Sequence, residues 1–456
     1  MRETLKIGLS GVRGIVGESF TPQLAATFAQ SFGTFAGGGT ILVGRDTRES
    51  GRMIEPAVVA GLQAVGCRPA LLGVVPTPSL LFAVNAWGAR GGIMITASHN
   101  REEWNALKFV DRHGWFLDAA HAEELFDLYH QQDFPLVHEA DLLAAEHRAA
   151  AVEPHFARIA EYVDGAAIRA ADLKVVVDCC NGVGALHTVV FLRDWLGCRT
   201  VYTVFDTPSG RFERGPEPVP EHLDTLREKV KACGADVGFA QDPDGDRLAA
   251  VDHTGEPLGE ERTVALALQS VLAQHDIGPI AVNLSATRAF DDLARQFGVP
   301  LERARTGEVH VTAAMRRTGA VAGGEHTGGI IVPAVHCGRD SYTGMALLLE
   351  RMALTGRSLR SLDQTLPRYY SAKASLPLRT DQASRIMRRL RQAYDGNRLH
   401  QKDGLYVEWP DGWLQVRRSN TEPVLRLIVE GPTPEAATQR LAELKAHVNG
   451  TPLAVV

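Results

Sequence analysis

An α/β chain closed by an α+β tail is what the sequence predicts, and three observations carry that reading. Short β-branched runs alternate with segments whose apolar residues recur at helical spacing, and several of the apolar runs empty directly into polar loops. After about Pro367 the alternation gives way to two strand-like runs around a polar turn, followed by one helix. At roughly 100–200 residues per domain, a chain of 456 residues should hold three or four domains.

The first unit opens with a helix from Thr21. TPQLAATFAQSFGTFAGGG offers a capping Thr, Pro at the first helical position, apolar Leu24, Phe28, Phe32 and Phe35, and a glycine stop. A strand at Ile41–Val43, the loop GRDTRES, a helix over Met53–Val65 and a strand at Ala70–Val75 follow. A short helix over Leu80–Trp87 then leads into GGIMIT, a buried strand that opens onto the polar ASHN. The stretch Ala119–Glu153, rich in Ala, His and acidic residues, reads as surface helix leading to a boundary.

A second unit begins with a helix over Pro154–Val163, continues with LKVVVD and the turn CCNGVG, and reaches a strand at Ala235–Ala240 that ends in QDPDGDR. In the third, a helix over Thr263–Ala273 precedes the strand PIAVNLS and the glycine cluster GGEHTGG before IIVP. The tail carries WLQVRRSNTEPVLRLIVEG as two strands and a helix over Thr433–Val448. These changes divide the chain at 1–150, 151–252, 253–367 and 368–456. No strong sequence repeat stands out, although the first three units share a rhythm of strand, polar loop and helix that leaves an internal triplication open.

Composition narrows the functions. A hydrophobic fraction of 45% with 22% charged residues is that of a globular protein, and a net charge of −6 supplies no field to hold a polyphosphate backbone, so nucleic acid is not expected as a partner. The N-terminal MRETLKIGLSG has no apolar core of a signal peptide, and no run approaches the roughly 18 apolar residues of a membrane span. Cys67, Cys179, Cys180, Cys198, Cys233 and Cys337 are scattered without CxxC spacing, which fits a reducing cytoplasm.

Four polar loops carry the chemistry. Thr96-Ala97-Ser98-His99-Asn100 follows a strand, the position where open α/β sheets bind ligands, and sets Ser98 beside His99 with Lys108 a few residues on. Such a serine can act as nucleophile or phosphoryl carrier. In Asp242-Pro243-Asp244-Gly245-Asp246-Arg247 three carboxylates at alternate positions repel one another unless a cation sits among them, and oxygen donors select Mg²⁺ or Mn²⁺ over zinc. Arg247 could neutralise one carboxylate or reach an anion. Gly323-Gly324-Glu325-His326-Thr327-Gly328-Gly329 leaves Glu325 and Thr327 free to hydrogen-bond sugar hydroxyls. Arg417-Arg418-Ser419-Asn420-Thr421-Glu422-Pro423 offers guanidinium, hydroxyl, amide and backbone donors that suit a dianionic phosphate.

In order and wording these loops resemble the α-D-phosphohexomutase superfamily over nearly the whole chain. Its hallmarks are a TASHN phosphoserine loop, a DGDxDR-like metal loop, a GExSG-like sugar loop and an RxSxTEP phosphate loop. A Gly-Val-Arg-Gly start at Gly11–Gly14, GRDTRESG at Gly44–Gly51 and a PEP segment at Pro216–Pro218 add to the match. The resemblance implies three similar α/β domains with mixed sheets and a smaller α+β C-terminal domain around a central cleft. It implies that Ser98 carries the phosphoryl group and, with Asp242, Asp244 and Asp246, holds one Mg²⁺. Arg13 and Lys108 would assist transfer, and Arg247 would line the cleft. Glu325, His326 and Thr327 would meet the sugar, and Arg417, Ser419, Asn420 and Thr421 would hold the phosphate that is not being transferred.

The implied activity is reversible phosphoryl transfer between the 1- and 6-positions of a hexose monophosphate, with a hexose 1,6-bisphosphate as intermediate and activator, in a cytoplasmic monomer or homodimer. A sugar phosphatase and a non-catalytic sugar-phosphate-binding protein are the competing readings. The sequence departs from commoner patterns at Asn105-Ala106-Leu107-Lys108, at Thr306-Gly307, and at Gly329, where many bacterial members have histidine. The general acid or base must then come from Lys108, His99 or His326. Lys108 is the first choice, on the expectation that a cationic cleft with Arg13 and Arg247 lowers its pKa. Glucose, mannose and glucosamine phosphates share the C3 and C4 hydroxyls and differ at C2, which none of the motifs reads.

Overall fold

The computed structural model describes residues 4–377, 382–418 and 424–449. The first unit runs β1 (Lys6–Gly8), β2 (Gly11–Ile15), α1 (Pro22–Ala36), β3 (Gly39–Arg45), α2 (Gly51–Ala64), β4 (Cys67–Val74), α3 (Thr77–Ala86), β5 (Gly91–Ile95), β6 (Trp104–Val110), α4 (Ala119–Gln131) and β7 (Glu146–His147). The start of α1 is built as its sequence dictates: Thr21 Oγ1 accepts from the Leu24 N–H at 3.2 Å, Pro22 occupies the first turn, and Gly37 ends the helix at φ 70°. Its apolar stripe, Phe28 and Phe32 included, packs with Ile41, Val43, Ile93 and Phe109 in one core.

The second unit runs α5 (Glu153–Tyr162), α6 (Gly165–Ala171), β8 (Lys174–Asp178), α7 (Gly184–Val190), β9 (Thr200–Val204), α8 (Asp224–Cys233), β10 (Val237–Gln241) and β11 (Leu248–Asp252). The third runs α9 (Glu260–Gln274), β12 (Ile280–Asn283), α10 (Ala289–Phe297), β13 (Leu301–Ala304), α11 (Glu308–Thr318), β14 (Ala322–Glu325), β15 (Gly329–Ile331), α12 (Ser341–Thr355) and α13 (Leu359–Asp363). One core joins these two units, with Phe156, Phe191 and Phe239 of one meeting Phe290, Tyr342 and Leu348 of the other.

A single topology is used three times. β3 pairs in parallel with β4 and β5, and β5 pairs antiparallel with β6. β8 stands in the same relation to β9 and β10, with β11 antiparallel to β10. β12 repeats it with β13 and β14, and β15 is antiparallel to β14. The strand orders β4-β3-β5-β6, β9-β8-β10-β11 and β13-β12-β14-β15 are thus equivalent, and the first sheet extends to seven strands with β2, β1 and β7. In each repeat the chain leaves the carboxyl end of a central parallel strand and returns as an antiparallel neighbour. The three connections are residues 96–103, 242–247 and 326–328, so the TASHN loop, the aspartate loop and the sugar loop occupy one topological position.

The tail is an antiparallel sheet, β16 (Tyr370–Pro377), β17 (Arg398–His400), β18 (Leu405–Trp409), β19 (Gly412–Arg418) and β20 (Val424–Gly431), in the order β16-β20-β19-β18-β17, covered by α14 (Ala383–Ala393) and α15 (Pro434–Asn449). The expected hairpin is β19–β20.

The reading of Ala119–Glu153 as helix needs correction. α4 stops at Gln131, Gln132 takes φ 54°, and the chain continues without a long helix to β7, which adds an edge strand to β4. Pro135, four residues on, has no N–H to continue a helical ladder.

Three units meet at a buried clamp. His155 on α5 shares hydrogen bonds of 3.0 Å with Ser79 Oγ of α3 and with Asp340 Oδ2, while Asp340 caps α12 by accepting from the Tyr342 N–H at 2.9 Å. These buried hydrogen bonds join a residue of each of the first three units.

Candidate active site

Ser98 is held in an uncommon backbone conformation, φ 48°. For a residue with a Cβ this costs on the order of 1 kcal/mol, so its surroundings must enforce it. They do so from both sides of the peptide. Thr96 Oγ1 accepts from the Ser98 N–H at 2.9 Å, and Thr96 in turn donates to Asp46 Oδ2 at 2.6 Å. The wholly buried Arg48 guanidinium donates to the carbonyls of Ser98 (2.6 Å), Asn100 (2.6 Å), Arg101 (2.6 Å) and Trp104 (3.1 Å), with its Nε on Asp46 at 3.0 Å. One side chain therefore wires the loop in place, and Ser98, a residue only 5% exposed, donates its hydroxyl to Asp242 Oδ2 at 2.8 Å.

All three aspartates are buried. Asp242 Oδ1 accepts from the N–H groups of Asp246 (3.0 Å) and Arg247 (3.1 Å), which closes the turn around it. Burial, with Asp246 and Asp244 close by, pushes the Asp242 carboxyl well above its ordinary range. Burial acts in the same sense on Asp244, but the Lys108 ammonium and hydrogen bonds, including one from Thr77 Oγ1 at 2.7 Å, overcome it and hold that carboxyl below the usual range. Carboxylate oxygens from the three lie within 4.8 Å of one another. Asp244 Oδ1 and Asp246 Oδ1 are buried with no hydrogen-bond partner among the described residues. Two orphaned anionic oxygens in an all-oxygen cluster fit a hard divalent cation.

Lys108 on β6 places Nζ 2.7 Å from Asp244 and 3.5 Å from Asp246. The expected lowering of its pKa is corrected: burial does act that way, but the two carboxylates outweigh it and raise the pKa, so the ammonium is kept. The sequence places Arg13 and Arg247 in the same region, but carboxylates are what the lysine touches.

Arg13, Ser98, His99, Lys108 and Arg247 line a cleft of about 230 Å³ together with the sugar loop and with Arg417 and Arg426 from the sheet of the fourth domain. Arg13 donates to Asn100 Oδ1 at 3.1 Å. Arg247 spans Glu217 Oε1 at 2.7 Å and His99 Nδ1 at 2.8 Å. Because a guanidinium only donates, His99 Nδ1 accepts and its Nε2 carries the proton. Burial and the charges of Arg247 and Arg13 hold His99 neutral. Glu325 accepts from the Gly307 N–H at 2.8 Å and from Arg339 Nη1 at 2.9 Å. Asn283 grips His326 twice, accepting its backbone N–H at 3.3 Å and placing its own amide nitrogen 2.7 Å from Nδ1. Burial, with Lys373 and Arg417, lowers the His326 pKa well below the ordinary value. Thr327 faces the cleft, as does Arg417, whose buried Nε has no hydrogen-bond partner among the described residues. Ser419, Asn420 and Thr421 lie outside the described residues.

The structure brings together Arg13, Ser98, His99, Lys108, Asp242, Asp244, Asp246, Arg247, Glu325, His326, Thr327 and Arg417. It adds residues that sequence reasoning passed over. Asp46 and Arg48 stand in GRDTRES, quoted as a motif but given no task; a charged pair directly after a buried strand was the available signal. Arg339 reaches Asp246 at 2.6 Å and also pairs with Glu308 at 3.0 Å. Nothing local in CGRDSY marks it as a cleft residue.

Comparison with known proteins agrees with this geometry. Profiles of the phosphoglucomutase/phosphomannomutase family match in order: alpha/beta/alpha domain I at residues 4–136, domain II at 153–255, domain III at 260–370 and the C-terminal domain at 377–447. A probable phosphoglucosamine mutase of Methanopyrus kandleri is 37% identical over 438 residues, 95% of each chain. A phosphoglucomutase/phosphomannomutase of Thermococcus kodakarensis is 34% identical, covering 95% of this chain and 96% of that one. A crystal structure of a phosphoglucomutase/phosphomannomutase family protein from Burkholderia thailandensis superposes with a TM-score of 0.83 at 28% identity, over 98% of both chains. With four domain matches in sequence order and relatives alike from end to end, the chain belongs to the phosphoglucomutase/phosphomannomutase family.

Proposed function

We propose that the protein is a phosphohexomutase that moves a phosphoryl group between the 1- and 6-positions of a hexose monophosphate. The observation that carries this is the placement of the Ser98 hydroxyl on Asp242, at the wall of a cleft lined on its other sides by the sugar loop and Arg417. A phosphatase would have no use for a phosphate grip remote from the serine, and a simple binding protein none for the serine and the aspartate cluster together.

In this reading the resting enzyme carries phosphate on Ser98. A sugar hydroxyl attacks the phosphorus and gives up its proton, the bond to Ser98 Oγ breaks, and Oγ takes up one proton in return as the hexose bisphosphate forms. The bisphosphate turns over in the cleft, and its other phosphate returns to Ser98. Glu325 and Thr327 hold sugar hydroxyls in both orientations, and Arg417, with Ser419, Asn420 and Thr421, holds the phosphate not in transfer. Asp242, Asp244 and Asp246, with the phosphoserine, would hold one Mg²⁺, which when bound neutralises charge that builds on the transferring group. Arg13 and Lys108 add fixed positive charge at the same place, and Arg247, locked between Glu217 and His99, presents its remaining surface to the cleft. The five-donor fork of each arginine suits a phosphate that must be released and bound again.

Six cysteines without disulfides fit a cytoplasmic setting, and a monomer or homodimer is the assembly we propose. Conversion of glucose 1-phosphate to glucose 6-phosphate in a coupled assay, with and without glucose 1,6-bisphosphate, tests the reading. Dependence on the bisphosphate supports it, and release of inorganic phosphate instead of isomer would replace it with a phosphatase. kcat/KM for the 1-phosphates of glucose, mannose and glucosamine then ranks the sugars.

A further inference from the structure

Gly329 closes the sugar loop, and its backbone does not call for glycine. Gly328 beside it has φ 90°, which L side chains rarely adopt, whereas Gly329 does not lie in the left-handed region. What Gly329 lacks is room. A Cβ built there would lie 2.1 Å from Arg339 Cδ and 2.7 Å from its Cγ. These atoms are the middle of the Arg339 side chain, so moving them drags the guanidinium from its partners.

Those partners belong to different domains. Nη2 donates to Asp246 Oδ2 at 2.6 Å, on the aspartate loop of the second unit. Nη1 donates to Glu325 Oε2 at 2.9 Å, on the sugar loop of the third. Glu308, at the start of α11, sets the aim by accepting from the Arg339 backbone N–H at 3.0 Å and lying 3.0 Å from Nε. A planar fork holds two carboxylates in a fixed relative orientation, whereas an ammonium is a point charge that sets no such plane. The other oxygen of Glu325 accepts from the Gly307 N–H, so Arg339 completes the orientation of that carboxylate.

We infer that Gly329 and Arg339 work as a pair, the glycine leaving the space through which the Arg339 guanidinium ties the sugar-binding carboxylate Glu325 to the aspartate loop at Asp246. Arg339 is then a positioning residue for the sugar, and this role rests on the mutase reading above.

A mutant cycle tests the pair through kcat and KM for glucose 1-phosphate, calorimetric binding of glucose 6-phosphate, and thermal midpoints. Arg339→Ala should lower kcat/KM by about 10²-fold, and Gly329→Ala should reproduce most of that loss. The double variant should be no more than about threefold worse than Arg339→Ala alone, because a glycine that serves only the arginine has nothing left to lose. Arg339→Lys should regain most of the thermal midpoint and little of kcat/KM, which a merely structural cation would not do. If Arg339→Ala does not fold, Arg339→Lys takes its place in the cycle. Losses that multiply in the double variant, or a Gly329→Ala enzyme with wild-type kinetics, would overturn the pairing. Should the wild type bind glucose 6-phosphate without turning it over, the mutase reading falls while the cycle, read in binding, still decides the pair; should it not bind either, the cycle is read in thermal midpoints, with the same criterion of non-additivity.

Discussion

The Ser98 hydroxyl and the Asp242 carboxylate stand 144 residues apart in the chain and 2.8 Å apart in space. Each lies in the loop that leaves a parallel strand of its own repeat, β5 and β10, at the same topological position. Ser98→Ala should therefore remove the phosphoryl carrier without disturbing the cleft. Turnover should fall by at least about 10³-fold, with hexose phosphate still bound. Intact-mass measurement of the purified wild type should find a phosphorylated fraction that the variant lacks, and a fully active alanine variant would sink the covalent route.

Removing the cation should act on the same atoms. Asp244 Oδ1 and Asp246 Oδ1 lack hydrogen-bond partners among the described residues, which leaves two buried carboxylate oxygens for a divalent ion to engage. Chelation should abolish turnover, and added Mg²⁺ should restore it. Asp244→Asn, which gives up a charge and leaves Lys108 without its nearest anion, should raise the Mg²⁺ concentration needed for half-maximal rate by about tenfold or more. An unaltered Mg²⁺ requirement would move the metal site elsewhere.

Much of this was legible in the sequence, and the failures have a common cause. The loops after β5, β10 and β14 could be read because apolar strands running straight into dense polar residues mark the carboxyl edge of a sheet. Their convergence on one cleft followed from the resemblance alone, because no local pattern shows contacts between units such as the His155 clamp between Ser79 and Asp340. Lys108 was misread for the same reason: its nearest charges are Asp244 and Asp246, from another domain. Arg48 was within reach, but a guanidinium that binds four carbonyls looks in sequence like any loop arginine.

Arg48 should be one of the more sensitive positions outside the cleft. Lysine keeps the charge opposite Asp46 but cannot serve the carbonyls of Ser98, Asn100, Arg101 and Trp104 at once. Arg48→Lys should lower kcat by about tenfold or more with a smaller change in KM, because the serine loses its enforced conformation while the sugar and phosphate grips stay intact. A change confined to KM would show that the loop holds its shape without this residue.

The contact between the third and fourth domains should report pH. Burial pushes the Glu430 carboxyl up to about 7, against hydrogen bonds from Thr287 and from the Arg288 N–H. Its Oε1 accepts from Trp413 Nε1 at 2.9 Å and the Arg288 N–H at 3.0 Å. A carboxyl whose folded pKa lies above its unfolded value near 4.5 binds a proton more tightly when folded. The stability it lends is complete below pH 4.5 and is lost as pH rises through 7. Glu430→Gln keeps the acceptor and removes the charge. The variant should melt a few degrees above wild type at pH 8, with the gap closing at pH 5. An equal gap at both would place the titration elsewhere.

The last expectation concerns the proton of the attacking hydroxyl. Lys108 keeps its ammonium between two carboxylates, so it meets substrate as a cation with nothing to accept a proton. His99 takes the Arg247 hydrogen bond on Nδ1. His326 takes the Asn283 amide on Nδ1, with the amide's orientation set by its oxygen accepting the His326 backbone N–H. Both imidazoles are therefore neutral N–H donors on Nε2, suited to holding phosphate or sugar oxygens. Phosphoryl transfer through a loose transition state asks little of a base, because the proton leaves late. Lys108→Ala should then lower kcat by about 10²-fold through lost positive charge, with Lys108→Arg recovering part of it. His326→Ala should act mainly on KM and leave the shape of the kcat–pH profile between pH 6.5 and 9 unchanged. If that variant instead loses a limb of the profile along with most of kcat, His326 is the base, and the proton leaves through the sugar loop.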